Sequence, residues 1–460
     1  MARQPVDRST PPALGPVPAF TFPGIERHVL ANGLHVRTVE HTSAPVVSMV
    51  VHIEGGSGAD PEPQEGLASL AADLVDEGTG SLSAIDVSDA LARIGGDYDV
   101  DTGPDAIGFS LTTLMRFADR GADLLAGLLT RPSLRESDFA RIRQLRIDRL
   151  RQIRDIASAV AERAFLRLLY GRHPYGHSPL GNEEALRAIT LEDVTAFHAE
   201  TFRPSQATLV LTGGMRHSEL LAVAERAFGG WIEPASQPAT RTPASAMTAE
   251  PTPRRIALVH REAAAQSELR IGHLAASRRT PDYAPLLVMN AILGGQFTSR
   301  VNMKLREEKA YTYGARTSFD WKRGVAPFAL STSVHTASTA AAIADAVAEI
   351  DGIRGSRPVT EGELAHAKAA LTRGYPAGFE TAAQVARAVS QLALYGLPDT
   401  YFSDFVPTVS AVTAGEVMRV AAQYLDPSRM TALVVGDAPV VADSLRTLNF
   451  GEPLELPVQM

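Results

Sequence analysis

The chain of 460 residues contains no cysteine. That absence excludes disulfides, thiol nucleophiles and thiolate metal sites. No run of about 18 apolar residues occurs, so no segment reads as a membrane-spanning helix. The amino terminus lacks the apolar core of a secretory signal. As written the chain reads as cytoplasmic, with the periplasm open if a signal peptide has been removed. An excess of positive charge is missing as well: 44 Lys and Arg against 52 Asp and Glu give 44 − 52 = −8. That balance argues against nucleic acid or an anionic membrane as partner. What remains is ordinary globular composition, 45% hydrophobic and 21% charged, with room for roughly two to four domains.

Residues 1–24 read as a Pro-rich tail, carrying Pro5, Pro11, Pro12, Pro16 and Pro18. Asn32-Gly33 between two strand-like runs predicts a hairpin with a type I′ turn, which needs positive φ at both central residues. Glu233–Arg254 has five prolines and no Phe, Tyr, Leu, Ile or Val. Too little apolar surface is available there to offset ordering, so 233–254 is expected to be a linker between domains 25–232 and 255–460. The halves echo each other. Ala188–Gly213 aligns on Ala411–Gly436 at an offset of 223, with Thr190 and Thr413 as N-caps and Asp193 and Glu416 placed for capping boxes. Leu169-Tyr170-Gly171 is echoed by Leu394-Tyr395-Gly396. Strands such as Val46–Ile53 alternate with amphipathic helices at Gln64–Asp76, Ser83–Ile94 and Ser137–Leu169, the last breaking near Asp155. The fold class that follows is α+β, a duplicated unit with mixed or antiparallel sheets covered by helices.

Three stretches carry a resemblance. "EGLASLAADLVDEGTG" at 65–80 resembles the "GLAHFLEHMLFKGT" segment of the pitrilysin/insulinase family of zinc peptidases. "GRHPYGHSPLG" resembles that family's "HPYG" turn, and "GGQFTSRVNMKLREEKAYTYG" at 294–314 resembles its "GGGxSSRLxxxLREKxGLAYS". The resemblance implies two homologous domains forming half of a clam-shaped chamber, and peptide hydrolysis at zinc. Catalytic members carry H-x-x-E-H on the first helix, with two histidines one turn apart on the metal, a glutamate as general base and a distant glutamate as further ligand. Here the aligned positions are Ser69, Ala72 and Asp73, and the distant position falls at Arg149-Leu150-Arg151. The family's zinc site is therefore expected to be missing, with no cofactor in this chain and zinc in a partner.

Other sites are weaker. His173 and His177 flank Pro174 and Gly176 and read as a surface turn, and His28, His35 and His41 show no ligand geometry. No G-x-S-x-G elbow accompanies Ser69. The second half keeps more. A helix Ser299–Glu308 is expected to begin at Thr298, with Arg306 in its last turn and Tyr311-Thr312-Tyr313 opening the next strand. The resemblance assigns Arg306 and Tyr313, seven residues apart, to a pair that faces the zinc of the assembled site. A guanidinium and a phenol suit the charge that builds on a peptide carbonyl oxygen. Ala310 and Tyr311 stand where the family has Gly-Leu. Gly294 and Gly295 are expected to form a tight turn, or a loop contacting substrate. The implied function is that of a zinc-less subunit, inactive alone, supplying Arg306 and Tyr313 in trans to a homologous zinc-bearing peptidase subunit that acts on peptides. A homodimer of the isolated chain, a purely structural homologue and an unrelated hydrolase remain as alternatives.

Overall fold

The computed structural model describes residues 9, 15, 20–233, 243–250 and 252–457. The end of the expected tail is described and packed, with Phe22 buried against Val385 and Val389. Residues 1–8, 10–14 and 16–19 of that tail and linker residues 234–242 and 251 lie outside the described residues. One six-stranded sheet is built from β1 (Ile25–Val29), β2 (His35–Glu40), β3 (Val46–Glu54), β6 (Asp97–Thr102), β7 (Ala106–Leu114) and β8 (Ala207–Gly213), in the order β1-β2-β8-β3-β7-β6. A small ribbon, β4 (Gly78–Thr79) with β5 (Leu82–Ser83), stands beside it. The second sheet contains β9 (Arg255–His260), β10 (Gln266–Ala276), β11 (Ala315–Phe319), β12 (Ala326–His335), β13 (Thr431–Gly436) and β14 (Leu454–Leu456), ordered β11-β12-β10-β13-β9-β14. Both sheets are mixed: β8 runs parallel to β2 and antiparallel to β3, and β13 runs parallel to β9 and antiparallel to β10.

The duplication holds in three dimensions. Helix Leu191–Thr201 before β8 and helix Ala414–Tyr424 before β13 have bounds that differ by the same 223 residues (414 − 191 and 424 − 201). Thr190 with Asp193 and Thr413 with Glu416 both form complete capping boxes. The expected long helix splits into Glu136–Arg154 and Ala157–Tyr170, broken at Asp155-Ile156.

Strand alternation explains how the halves join, because successive side chains face opposite sides of a sheet. Met49 and Val51 of β3 pack under helices of their own half. Val50 faces the other way, joining Val39 and Val210 against Val385 and Val389 of helix Ala382–Tyr395 from the second half. Reciprocally, Val160 and Phe165 of helix Ala157–Tyr170 cover Val259, Leu433 and Val435 of the second sheet. Each buried valine contributes about 1.5–3 kcal/mol. Neither sheet has both faces covered without the other half. The two Leu-Tyr-Gly echoes end these exchanged helices; Tyr170 Oη crosses the seam to donate to the Val325 carbonyl (2.8 Å), whereas Tyr395 Oη donates to the Trp321 carbonyl (3.2 Å) within its own half.

Three expectations need correction. The hairpin forms, but only Gly33 has positive φ (89°), so the turn is not type I′. The Asn32 side chain is spent elsewhere, donating to the carbonyls of Phe228 and Trp231 and accepting from Leu34 N–H. The "HPYG" turn is not on the surface: Tyr175 is buried at the seam, its hydroxyl donating to Asp105, and His177 is largely covered. The described end of the linker is docked too, with Ala244 buried in the same cluster as Tyr175.

Candidate functional site

Helix Leu67–Leu74 is shorter than the expected Gln64–Asp76 and continues as a 3₁₀ turn, Val75–Glu77. Its N-cap, Gly66, has φ 101° and no side chain to accept the free N–H groups of the first turn. Asp60 takes that role from outside: its carboxylate accepts from Gly66 N–H and Ala68 N–H, both at 2.7 Å. Burial pushes the Asp60 carboxyl up to about 7, and His177 Nε2 lies 3.9 Å away.

On this helix Ser69 and Ala72 are buried, and Asp73 turns toward helix Glu136–Arg154. Arg146 meets it there. Its Nε donates to Asp73 Oδ2 (2.7 Å) and its Nη2 to the Ser69 carbonyl (2.9 Å). Leu150, at the distant-glutamate position, is buried in the core, one helical turn beyond Arg146. A hydroxyl, a methyl and a carboxylate already paired with a guanidinium do not fit a zinc ion. Among the described residues no group of three or more His, Asp or Glu side chains is placed to hold a metal. Arg146 escaped the sequence reading. The available signal was its position, four residues before Leu150 on the same helical face.

The second half is built differently. Helix Tyr283–Asn290 runs on as a π-helix, Ala291–Gly295, and after the N-cap Ser299 the chain forms a short α-helix, Arg300–Asn302, then a second π-helix, Met303–Glu308. Thr298 does not cap it; its hydroxyl meets His366 Nε2 at 3.1 Å. Val301 and Leu305 are buried as their spacing predicted. Gly294 and Gly295 make no left-handed turn. They permit close approach: a Cβ on Gly294 would lie 2.4 Å from Thr317 Oγ1, and one on Gly295 2.9 Å from the Asn290 side chain. Ala310 sits at φ 53°, the left-handed conformation that glycine adopts at far lower cost, so the turn survives the loss of the family's glycine. Tyr313 falls in a bend before β11 rather than inside a strand.

Arg306 and Tyr313 are brought together on the wall of one open cavity of about 590 Å³. Gly294, Gly295 and Phe297 line it as well, and no residue of helix Leu67–Leu74 does. The Arg306 guanidinium lies 4.3 Å from the centre of the Phe297 ring and Nε lies 3.5 Å from Glu307, an exposed contact of small energetic weight. Tyr313 is 87% exposed and Phe297 62%, so neither aromatic ring is there to fill core. Asn302, which the sequence reading did not single out, ties the wall together: Nδ2 donates to the Phe297 carbonyl (2.6 Å) and Oδ1 accepts from Ala315 N–H (3.0 Å).

Fold and site define a class: a duplicated two-sheet chain with a metal-type helix stripped of its ligands and an Arg–Tyr pair on a cavity wall in the other half. Comparison with known proteins names it. Residues 35–182 match the family profile described as Insulinase (Peptidase family M16), and residues 188–371 match that described as Peptidase M16 inactive domain. The chain belongs to the M16 peptidase family. It is 23% identical over 416 residues to an uncharacterized zinc protease of Mycobacterium tuberculosis, covering 89% of this chain and 92% of the relative. It is 21% identical to a non-peptidase homologue of Helicobacter pylori, covering 90% and 96%. A crystal structure of a peptidase M16 inactive domain from Pseudomonas fluorescens superposes with a TM-score of 0.83 at 22% identity, covering 90% of this chain and 98% of that one. No helix among the described residues is long and apolar enough to cross a membrane.

Proposed function

We propose that this chain is the zinc-less subunit of a two-chain M16 peptidase, lending Arg306 and Tyr313 to the metal site of a homologous partner. The observation that carries the reading is the pair on one cavity wall, Tyr313 exposed and Arg306 half-buried over the Phe297 ring, neither of them filling the core. In this role the Arg306 guanidinium and the Tyr313 hydroxyl donate hydrogen bonds to the carbonyl oxygen or backbone of a bound peptide as negative charge develops. Metal, water activation and general base belong to the partner, because Ser69, Ala72 and Asp73 offer this chain no zinc chemistry. The test uses the chain assembled with a homologue that carries H-x-x-E-H. Arg306→Ala and Tyr313→Phe are each expected to lower kcat by about 10²–10³ while the complex still forms. Full activity in both variants would overturn the assignment.

A second reading has one observation in its favour, the similarity to a relative named a non-peptidase homologue. A purely structural subunit would keep the duplicated fold and do no chemistry. It predicts that a peptidase partner, once found, works equally well with either variant.

A further inference from the structure

A second cavity, of about 1140 Å³, opens at the seam between helix Ala157–Tyr170, the turn at 176–182 and the β9–β14 edge of the second sheet. We propose that it binds a small ligand whose carboxylate sits on an apolar body, with Arg163 and Arg167 receiving the charge. This goes beyond the proposed peptidase role and stands independently of it.

The argument begins with unspent charge. Arg163 Nη2 donates to the Gly181 carbonyl (2.6 Å), while its Nε and Nη1 are buried with no hydrogen-bond partner among the described residues. Leaving such donors unmet is costly unless an acceptor is available. One carboxylate on this wall is already occupied: Glu183 accepts from Arg151 (2.8 Å), Arg154 (2.9 Å) and Arg187 (2.6 Å). Arg167 is exposed on the same helix, one turn further along, and no ion pair involves it among the described residues. Burial and the neighbouring Arg154 lower Arg163 to about 10, which leaves it charged at neutral pH.

The other walls select the rest of the ligand. Val160, Ala164, Leu168, Val259 and Leu456 give the cavity an apolar side. Glu65 and Glu184 also face it, and they oppose a dianion more strongly than a monoanion. A carboxylate on a hydrocarbon or peptide body meets both conditions better than a phosphate does.

The experiment titrates the full chain with hexanoate, hexanamide, N-acetyl-leucyl-leucine, its amide and inorganic phosphate, read by calorimetry and by the midpoint of thermal unfolding. The two acids are expected to bind saturably and raise the midpoint, and the two amides are not. Arg167→Gln should weaken acid binding about tenfold or more without changing the unliganded midpoint; Arg163→Gln should do the same to binding but also lower that midpoint by losing the Gly181 contact. Tighter binding of the dipeptide identifies peptide carboxyl termini as the source, and tighter binding of hexanoate identifies free aliphatic acids. Amides binding as well as acids, acid binding unchanged in both arginine variants, or phosphate binding more tightly than either acid would overturn the proposal.

Discussion

The two halves repeat one order of elements, yet each treats the same stretch in its own way. In the first half, helix Ala84–Ile94 opens on a complete Ser83–Asp86 capping box and closes on Gly95 at φ 59°. In the second, the helix that bears Arg306 has no side-chain cap, winds into a π-helix and closes on Ala310 at φ 53°. Three residues past each left-handed position stands a tyrosine. Tyr98 lies in β6 with its hydroxyl buried and unpartnered, whereas Tyr313 projects into solvent. Relaxed local geometry thus accompanies the half whose chemistry faces inward to Asp73 and Arg146. Irregular winding and a left-handed alanine accompany the half that sets an arginine and a tyrosine on the wall of an open cavity, and such irregularities recur at functional sites.

The largest effect that could break this contrast is catalytic: removing Arg306 or Tyr313 should cost the assembled enzyme about 10²–10³ in kcat, while Tyr98→Phe should leave kcat unchanged. Next comes Arg146. Replacing it with alanine strips Asp73 and the Ser69 carbonyl of their donors and should destabilise the first half by about 1–3 kcal/mol in denaturant unfolding. If the loss is negligible, the guanidinium is not what holds helix Leu67–Leu74 to its neighbour.

A third effect has opposite signs in the two halves. Burial raises Asp60 to about 7, against about 3.9 in an unfolded chain. Between those values the folded state holds a proton the unfolded state has released, so this contribution is full below about pH 4 and is lost as pH rises to 7. Asp282, before helix Tyr283–Asn290, is lowered instead, chiefly by hydrogen bonds from Arg419; its contribution is present above the ordinary carboxylate range and lost as pH falls. Asp60→Asn should flatten the loss toward neutrality, worth about 1.4 kcal/mol for each tenfold difference in proton affinity between the folded and unfolded chain. Asp282→Asn should flatten the loss on the acid side. Unfolding curves from pH 3 to 8 distinguish them. The smallest effect is a swap. Ala310→Gly should stabilise by about 0.5–1 kcal/mol and Gly95→Ala should destabilise by a similar amount, measured as shifts in the denaturant midpoint.

Much of this was legible before any coordinates. The offset of 223, the Thr190 and Thr413 caps and the break at Asp155 follow from local rules of capping and periodicity, and the structure keeps each of them. Ser69, Ala72 and Asp73 were readable as a motif without its chemistry. What stayed hidden depends on contacts between distant residues. The exchange of helices Ala157–Tyr170 and Ala382–Tyr395 needs alternating strand faces to find partners in the opposite half. The Asn32 side chain bonds residues nearly 200 positions away, which no turn rule anticipates. Arg146 looked like one more basic residue on a charged helix until Asp73 was seen to face it. The π-helical winding around Gly294 and Arg306 carries no periodic signature of its own.

The central claim is a division of labour: this polypeptide holds an electrophilic arginine and tyrosine, and another holds the metal. It is tested most directly by elemental analysis of the purified chain after dialysis against zinc, with peptide digestion measured on the same sample. The account predicts substoichiometric zinc and no turnover until a metal-bearing homologue is added. One tightly retained zinc per chain, or digestion by the chain unaided, would contradict it.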